Sequence, residues 1–107
     1  MKANELRIGS VTDKGIVKSF WEKGVHVGFG KCFEFDELEP IPLTEEWLPK
    51  FGIIKKNGYP YKFNKGYLKL RNGIFFFKYY EIEIELPFVH DLQNLNFALT
   101  NEELKIK

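Results

Sequence analysis

Along much of the chain apolar residues recur at every second position, and the places where that period breaks mark its turns and helices. In the first forty residues Gly15 separates Val11 from a segment at 16–21, the Lys23-Gly24 pair turns the chain, and Val25, Val27 and Phe29 then share one strand face. Gly30-Lys31 turns it again before a strand at 32–35. Asp36, Glu37 and Leu38 read as one helical turn, and Pro40 and Pro42 force an extended exit. Short strands with glycine turns at this spacing predict a small closed barrel over 1–42, because closure removes exposed sheet edges.

The period changes at Thr44. Its hydroxyl is placed to cap a helix, Glu45 and Glu46 suit the positive end of the helix dipole, and Leu43, Trp47, Leu48 and Phe51 form an apolar stripe. Pro49 either removes only a donor that the first turn would leave unpaired or limits this helix to about two turns, and Gly52 ends it. From Ile53 the two-residue period returns. Asn57-Gly58 and Asn72-Gly73 are favoured hairpin turns joining strands at 53–56 with 59–63 and at 67–71 with 74–79. The second turn sets Leu70 against Phe75 and Leu68 against Phe77 on one face, with Arg71 facing Ile74, Lys69 facing Phe76 and Tyr67 facing Lys78 on the other. Glu81, Glu83 and Glu85 alternate with Ile82, Ile84 and Leu86. One strand over 74–86 would run about 43 Å, so a bulge or bend is expected near Tyr79-Tyr80. Val89, Leu92, Leu95, Phe97 and Leu99 mark a helix against this sheet, and 105–107 form an edge strand or a tail. The fold class is therefore mostly β (α+β): a barrel at 1–42, then a unit at 43–107 of short helix, antiparallel meander and C-terminal helix, the two lobes sharing one core.

Arg7-Ile8-Gly9-Ser10-Val11, the glycine turn, the short strands and the single turn at Asp36-Glu37-Leu38 resemble SH3-like or KOW-type small barrels. That resemblance implies a binding fold, for peptide, nucleic acid or a neighbouring domain. Two further stretches, Ile41-Pro42-Leu43-Thr44-Glu45-Glu46-Trp47-Leu48 through Gly52, and Val89-His90-Asp91-Leu92-Gln93-Asn94-Leu95 through Thr100, resemble paired signatures of small uncharacterised proteins from Bacteroides-type gut bacteria and their phages. The opening residues 2–9 fit the same pattern. Variants in that family often carry Gln at the place of Asp91 and an aromatic at that of Asn96. The resemblance implies an accessory protein of phage or mobile elements, and it assigns no site residues.

Composition narrows the classes. The 107 residues include 11 Phe, 5 Tyr and 2 Trp, enough apolar area for an ordered core. One cysteine, Cys32, excludes a disulfide scaffold and fits a reducing, cytoplasmic setting. The densest apolar run, Ile74 to Phe77, is far below the roughly 20 residues of a membrane span, and Glu5 and Arg7 stand where a secretory leader would be apolar. The net charge of +1 hides a strong asymmetry. Residues 1–49 carry six basic and nine acidic side chains, residues 50–78 eight basic and none acidic, and residues 79–107 two basic and six acidic.

That basic middle is the main candidate surface. Lys55, Lys56, Lys62, Lys69, Arg71 and Lys78, with Lys65, interleave with Tyr59, Tyr61, Phe63, Tyr67 and Phe76. Cations beside exposed rings attract phosphate and stack on bases. The binding residues expected are Lys55, Lys56, Tyr59, Tyr61, Lys62, Lys69, Arg71 and Lys78, for a protein or an anionic partner (nucleic acid or nucleotide). The competing reading has these lysines neutralised by the glutamate strand and the acidic flanks. No cofactor or metal set is apparent, since no His or Cys pair has ligand spacing. Cys32 and His26 are the one thiol–imidazole pair able to meet across a turn, although a small thiol is more often buried. Glu81, Glu83 and Glu85, about 7 Å apart in succession, with His90 at the start of the last helix, are the enzymatic alternative. A structural module that oligomerises through exposed Phe and Tyr is the third.

Overall fold

The computed structural model describes residues 1–55 and 61–107 and is mostly β, with antiparallel sheets and two helices. A short 3-10 turn, Ala3–Glu5, leads into β1 (Val11–Thr12) and β2 (Gly15–Ile16), which pair as a minimal hairpin. β3 (Ser19–Trp21), β4 (Gly24–Gly28) and β5 (Lys31–Glu34) form a three-stranded sheet, and a second 3-10 turn, Phe35–Glu37, occupies the expected single-turn position. Glycine is required inside β4: a Cβ on Gly24 would lie 2.7 Å from Glu34 Cα and collide with the Phe33 carbonyl.

These strands do not close into a barrel. They remain two separate small sheets, because segments of two to five residues carry too few ladder bonds to wrap around a core. Leu6, Val17, Val25 and Leu38 instead form a small apolar cluster of their own. A register shift between His26 and Gly28 breaks the alternation expected at 25–29. Phe29 consequently sits in the turn at a φ of 50°, fully exposed, rather than beside Val25.

Helix α1 is a single turn, Trp47–Lys50. Thr44 contributes its carbonyl to the Trp47 N–H and makes no side-chain cap; Pro49 bars an extra turn before the helix, and Gly52, at a φ of 80°, ends it. Residues 53–55 are not in a strand, and the predicted Asn57-Gly58 turn lies outside the described residues, as do Lys56 and Tyr59. β6 (Tyr61–Phe63), β7 (Gly66–Arg71), β8 (Ile74–Tyr79) and β9 (Ile82–Leu86) make an antiparallel meander in sequence order. The register across β7 and β8 is the one the Asn72-Gly73 turn dictates: Leu70 opposite Phe75, Leu68 opposite Phe77, Lys69 opposite Phe76 and Tyr67 opposite Lys78. The bend expected at 79–80 is a full reversal. Tyr80 and Glu81 form a two-residue turn that sets Tyr79 against Ile82, so 74–86 is two strands rather than one long one.

Helix α2 (Val89–Thr100) covers the inner face of this meander. Val89 and Leu92 join Phe63, Leu68, Phe75, Phe77 and Leu86 in the main core, together with Leu43, Leu48, Phe51 and Val11. Each large side chain buried there contributes about 1.5–3 kcal/mol. The polar face of α2 is also covered, and it fastens both ends of the chain. Gln93, 1% exposed, accepts from the Val11 N–H and donates to the carbonyls of Gly9 and Leu104. Asn94 donates to the Glu5 carbonyl, and Arg7 lies over the Phe97 ring while gripping Glu103 through two nitrogens. The C-terminal segment is an extended tail rather than an edge strand, tied to α1 where the Lys107 N–H donates to the Lys50 carbonyl.

Candidate functional site

With α2 on one side of the meander, the other side faces outward, and strand alternation decides what stands on it. Two cross-strand rows result. One runs Lys62, Tyr67, Lys78, Glu83 from β6 to β9, and the next runs Lys69, Phe76, Glu85 from β7 to β9. The face is therefore cationic over β6, β7 and β8 and acidic along β9.

The two halves neutralise each other only in part. Glu83 accepts from Arg71 at 3.3 Å and lies 3.9 Å from the Lys78 ammonium, while the Arg71 guanidinium also sits 5.0 Å from the centre of the Phe76 ring. Arg71 is thus the more closely partnered of the two cations. Exposed pairs like Lys78–Glu83 contribute about 0–1 kcal/mol, weak enough for a competing anion to displace. Among the described residues, Lys62, Lys65 and Lys69 form no ion pair.

Two of these, Lys65 and Lys69, converge with Lys78 at one end of the sheet. There the turns 64–65 and 80–81 emerge side by side, and Lys65, Tyr67, Lys69, Lys78, Tyr79 and Tyr80 surround an open cavity of about 560 Å³. Gly66 lines it too. A Cβ there would lie 2.7 Å from the Phe77 ring and collide with the Lys78 carbonyl, so the close approach of β7 to β8 beneath the cavity needs glycine. The rings are available: Tyr67 is 49% exposed and Tyr80 80%. Tyr79 meets Tyr80 edge-on with centroids 4.5 Å apart.

Tyr80 is held in a backbone conformation that its residue type disfavours. The meander has three two-residue turns, at 64–65, 72–73 and 80–81, and the first residue of each lies in the left-handed region: Asn64 at 55°, Asn72 at 53° and Tyr80 at 54°. Asparagine tolerates this region well, whereas a bulky aromatic there is a true outlier. The turn thus carries an exposed ring where the fold by itself would prefer Asn or Gly.

The other expected residues are distributed as follows. Lys62 is exposed on the outer face at its β6 edge. Lys55 and Tyr61 border a different hollow, of about 340 Å³, shared with Glu45 and the far side of Lys69. Tyr61 packs edge-on against Phe75 and donates to Glu45. Partial desolvation, and then that carboxylate, raise its phenol above the usual value, so it stays a neutral donor. Lys65, Tyr67, Tyr79 and Tyr80 stand outside the eight expected binding residues. The eight-residue spacing of positions 64, 72 and 80 is the signal that would have found Tyr80.

The enzymatic alternative has no common site. Glu83 points outward toward Arg71 and Lys78, whereas His90 is 3% exposed on the α2 side of the sheet. His90 neither caps a carbonyl nor reaches solvent: its Nε2 lies 3.4 Å from Glu5 and 3.5 Å from Asp91, its Nδ1 is buried without a partner, and its ring stacks on Phe88. Among the described residues, only Glu83 of the glutamate row forms an ion pair with the basic strands. Cys32 is exposed rather than buried, and its Sγ lies 3.0 Å from His26 Nδ1 across the β4–β5 ladder. Among the described residues no three His, Cys, Asp or Glu side chains are grouped to hold a metal ion, and no helix is long and apolar enough to cross a membrane.

Fold and surface together define a mostly β, α+β protein whose meander ends in a lysine- and tyrosine-lined hollow. No protein-family model matches the chain, and neither a curated protein nor a solved structure matches it.

Proposed function

We propose that the chain is a non-enzymatic binding protein that takes an anionic partner, nucleic acid or nucleotide, on the outer face of the meander at its 64–65 and 80–81 end. The observation that carries this reading is the convergence of Lys65, Lys69 and Lys78 with Tyr67 and Tyr80 around one open hollow, two of the three lysines making no ion pair among the described residues. Cations supply phosphate attraction, and exposed rings supply stacking surfaces that any base satisfies. Of the residues expected from the sequence, Lys69 and Lys78 belong to this centre, Lys62 flanks it, and Arg71 is set aside by its pairing with Glu83. The phage or mobile-element setting rests on the sequence resemblance alone and adds no residue to the site.

The test is titration of a fluorescently labelled dT8 at low salt. Binding that weakens steeply with salt and is lost in a Lys65→Glu/Lys69→Glu variant supports the proposal. A chain that binds neither oligonucleotide nor nucleotide at about 20 mM salt contradicts it.

A further inference from the structure

We infer that the hollow accepts one phosphorylated ring unit at a time, a free nucleotide or a single residue of a strand, and does not track a polynucleotide. The inference rests on the anion-binding reading above and concerns the length of ligand that reading admits.

Its basis is the acidic border. Neighbouring strands lie about 4.8 Å apart, so Glu83 and Glu85 on β9 stand roughly 10 Å from the β7 cations, within about one Debye length at moderate salt. A chain of phosphates running from the hollow toward β9 would pass over both carboxylates and be repelled, and one running toward β6 would meet a single further cation, Lys62, on the edge strand. Running along β7 instead, it would meet Arg71, whose guanidinium is already engaged by Glu83 and the Phe76 ring. What remains is a compact set, Lys65, Lys69 and Lys78, beside the rings of Tyr67 and Tyr80. The acids bound the footprint and the left-handed turn fixes the ring at its rim. The phosphates neutralised are then the one of a free nucleotide or the two flanking a single residue of a strand, giving a slope of log affinity against log salt of about −0.7 to −1.4.

A calorimetric series with AMP, pdT2, pdT4, pdT8 and pdT16 at low salt tests this. The expected result is an affinity per site that changes less than about threefold from pdT2 to pdT16, with several protein molecules loaded on each pdT16. AMP binding as tightly as pdT2 would mark the free nucleotide as sufficient; weaker AMP binding would mark a residue within a strand, and both fit one unit per hollow. A Glu83→Gln/Glu85→Gln variant is expected to gain length dependence, pdT16 tightening several-fold more than pdT2, because the border has been removed. Affinity per site that rises tenfold or more with length in the unaltered protein, with one protein covering each pdT16, overturns the inference while leaving the anion site standing. Absence of binding at every length would instead remove the reading on which it rests.

Discussion

A tyrosine at a φ of 54° is held there against its own preference, because the left-handed conformation costs an L-residue about 1–2 kcal/mol. Asn64 and Asn72 show what the same turn accepts without that strain. Tyr80→Asn should therefore stabilise the protein by about 0.5–1 kcal/mol in urea unfolding while weakening oligonucleotide binding about tenfold, the pattern of a residue kept for function rather than for folding. A variant that loses stability and keeps its affinity would reverse the assignment. Gln93 presents the opposite case. It satisfies one N–H and two carbonyls between α2 and both ends of the chain, so Gln93→Leu is expected to destabilise by about 2–3 kcal/mol through orphaned backbone groups, with binding unchanged in the folded fraction. Asp13 gives the one pH effect to expect at this scale. Its slight desolvation, which alone would raise the carboxyl, is outweighed by the Glu39 N–H and by Lys14, which hold it below its ordinary value. A lowered folded value means stability present above the unfolded value and lost as pH falls through the folded one. The small deficit of Asp13→Asn at neutral pH should accordingly close below about pH 4, as read from thermal unfolding.

At the scale of elements, legibility followed the strength of local geometry. The Asn72-Gly73 turn permits one register, and each cross-strand partner from Tyr67 to Lys78 follows from it. The Tyr80-Glu81 turn carried no such marker, since an aromatic in the left-handed region is not a turn signal, and so it read as a bend. The barrel expectation failed for a related reason. Glycine spacing reports where strands stop, but closure depends on ladder length, which strands of two to five residues do not supply. Helix α1 fell short because Pro49 bars a turn before it, Gly52 ends it after Lys50, and the Thr44 side chain makes no cap. Gly66 permits the close approach of β7 and β8 beneath the site. Gly66→Ala should force β7 from β8 and lower the unfolding midpoint well beyond the effect of Gly73→Ala, whose added Cβ meets open space although its φ of 80° remains strained. Equal losses for the two would argue that only backbone conformation matters there.

On the whole molecule, charge asymmetry was plain in the sequence and its outcome was not. Eight basic and no acidic residues at 50–78 predict a positive surface, yet strand alternation turns Tyr61 inward, cross-strand register gives Arg71 to Glu83, and the reversal at 80–81 places an acidic strand beside the basic one. Only folding reveals that Lys65, Lys69 and Lys78 gather at one end, because that depends on two turns far apart in sequence emerging together. Lys55 stands beside Glu45 around a separate hollow, so Lys55→Glu should alter affinity by less than about twofold, whereas Lys69→Glu should reduce it tenfold or more. The most direct measurement is the affinity for labelled dT8 at several salt concentrations, compared between the unaltered protein, Lys55→Glu and Lys69→Glu. Steep salt dependence that Lys69→Glu abolishes and Lys55→Glu preserves is the predicted result; salt-independent binding, or equal losses from both charge reversals, would contradict a site at the tyrosine-lined end of the meander.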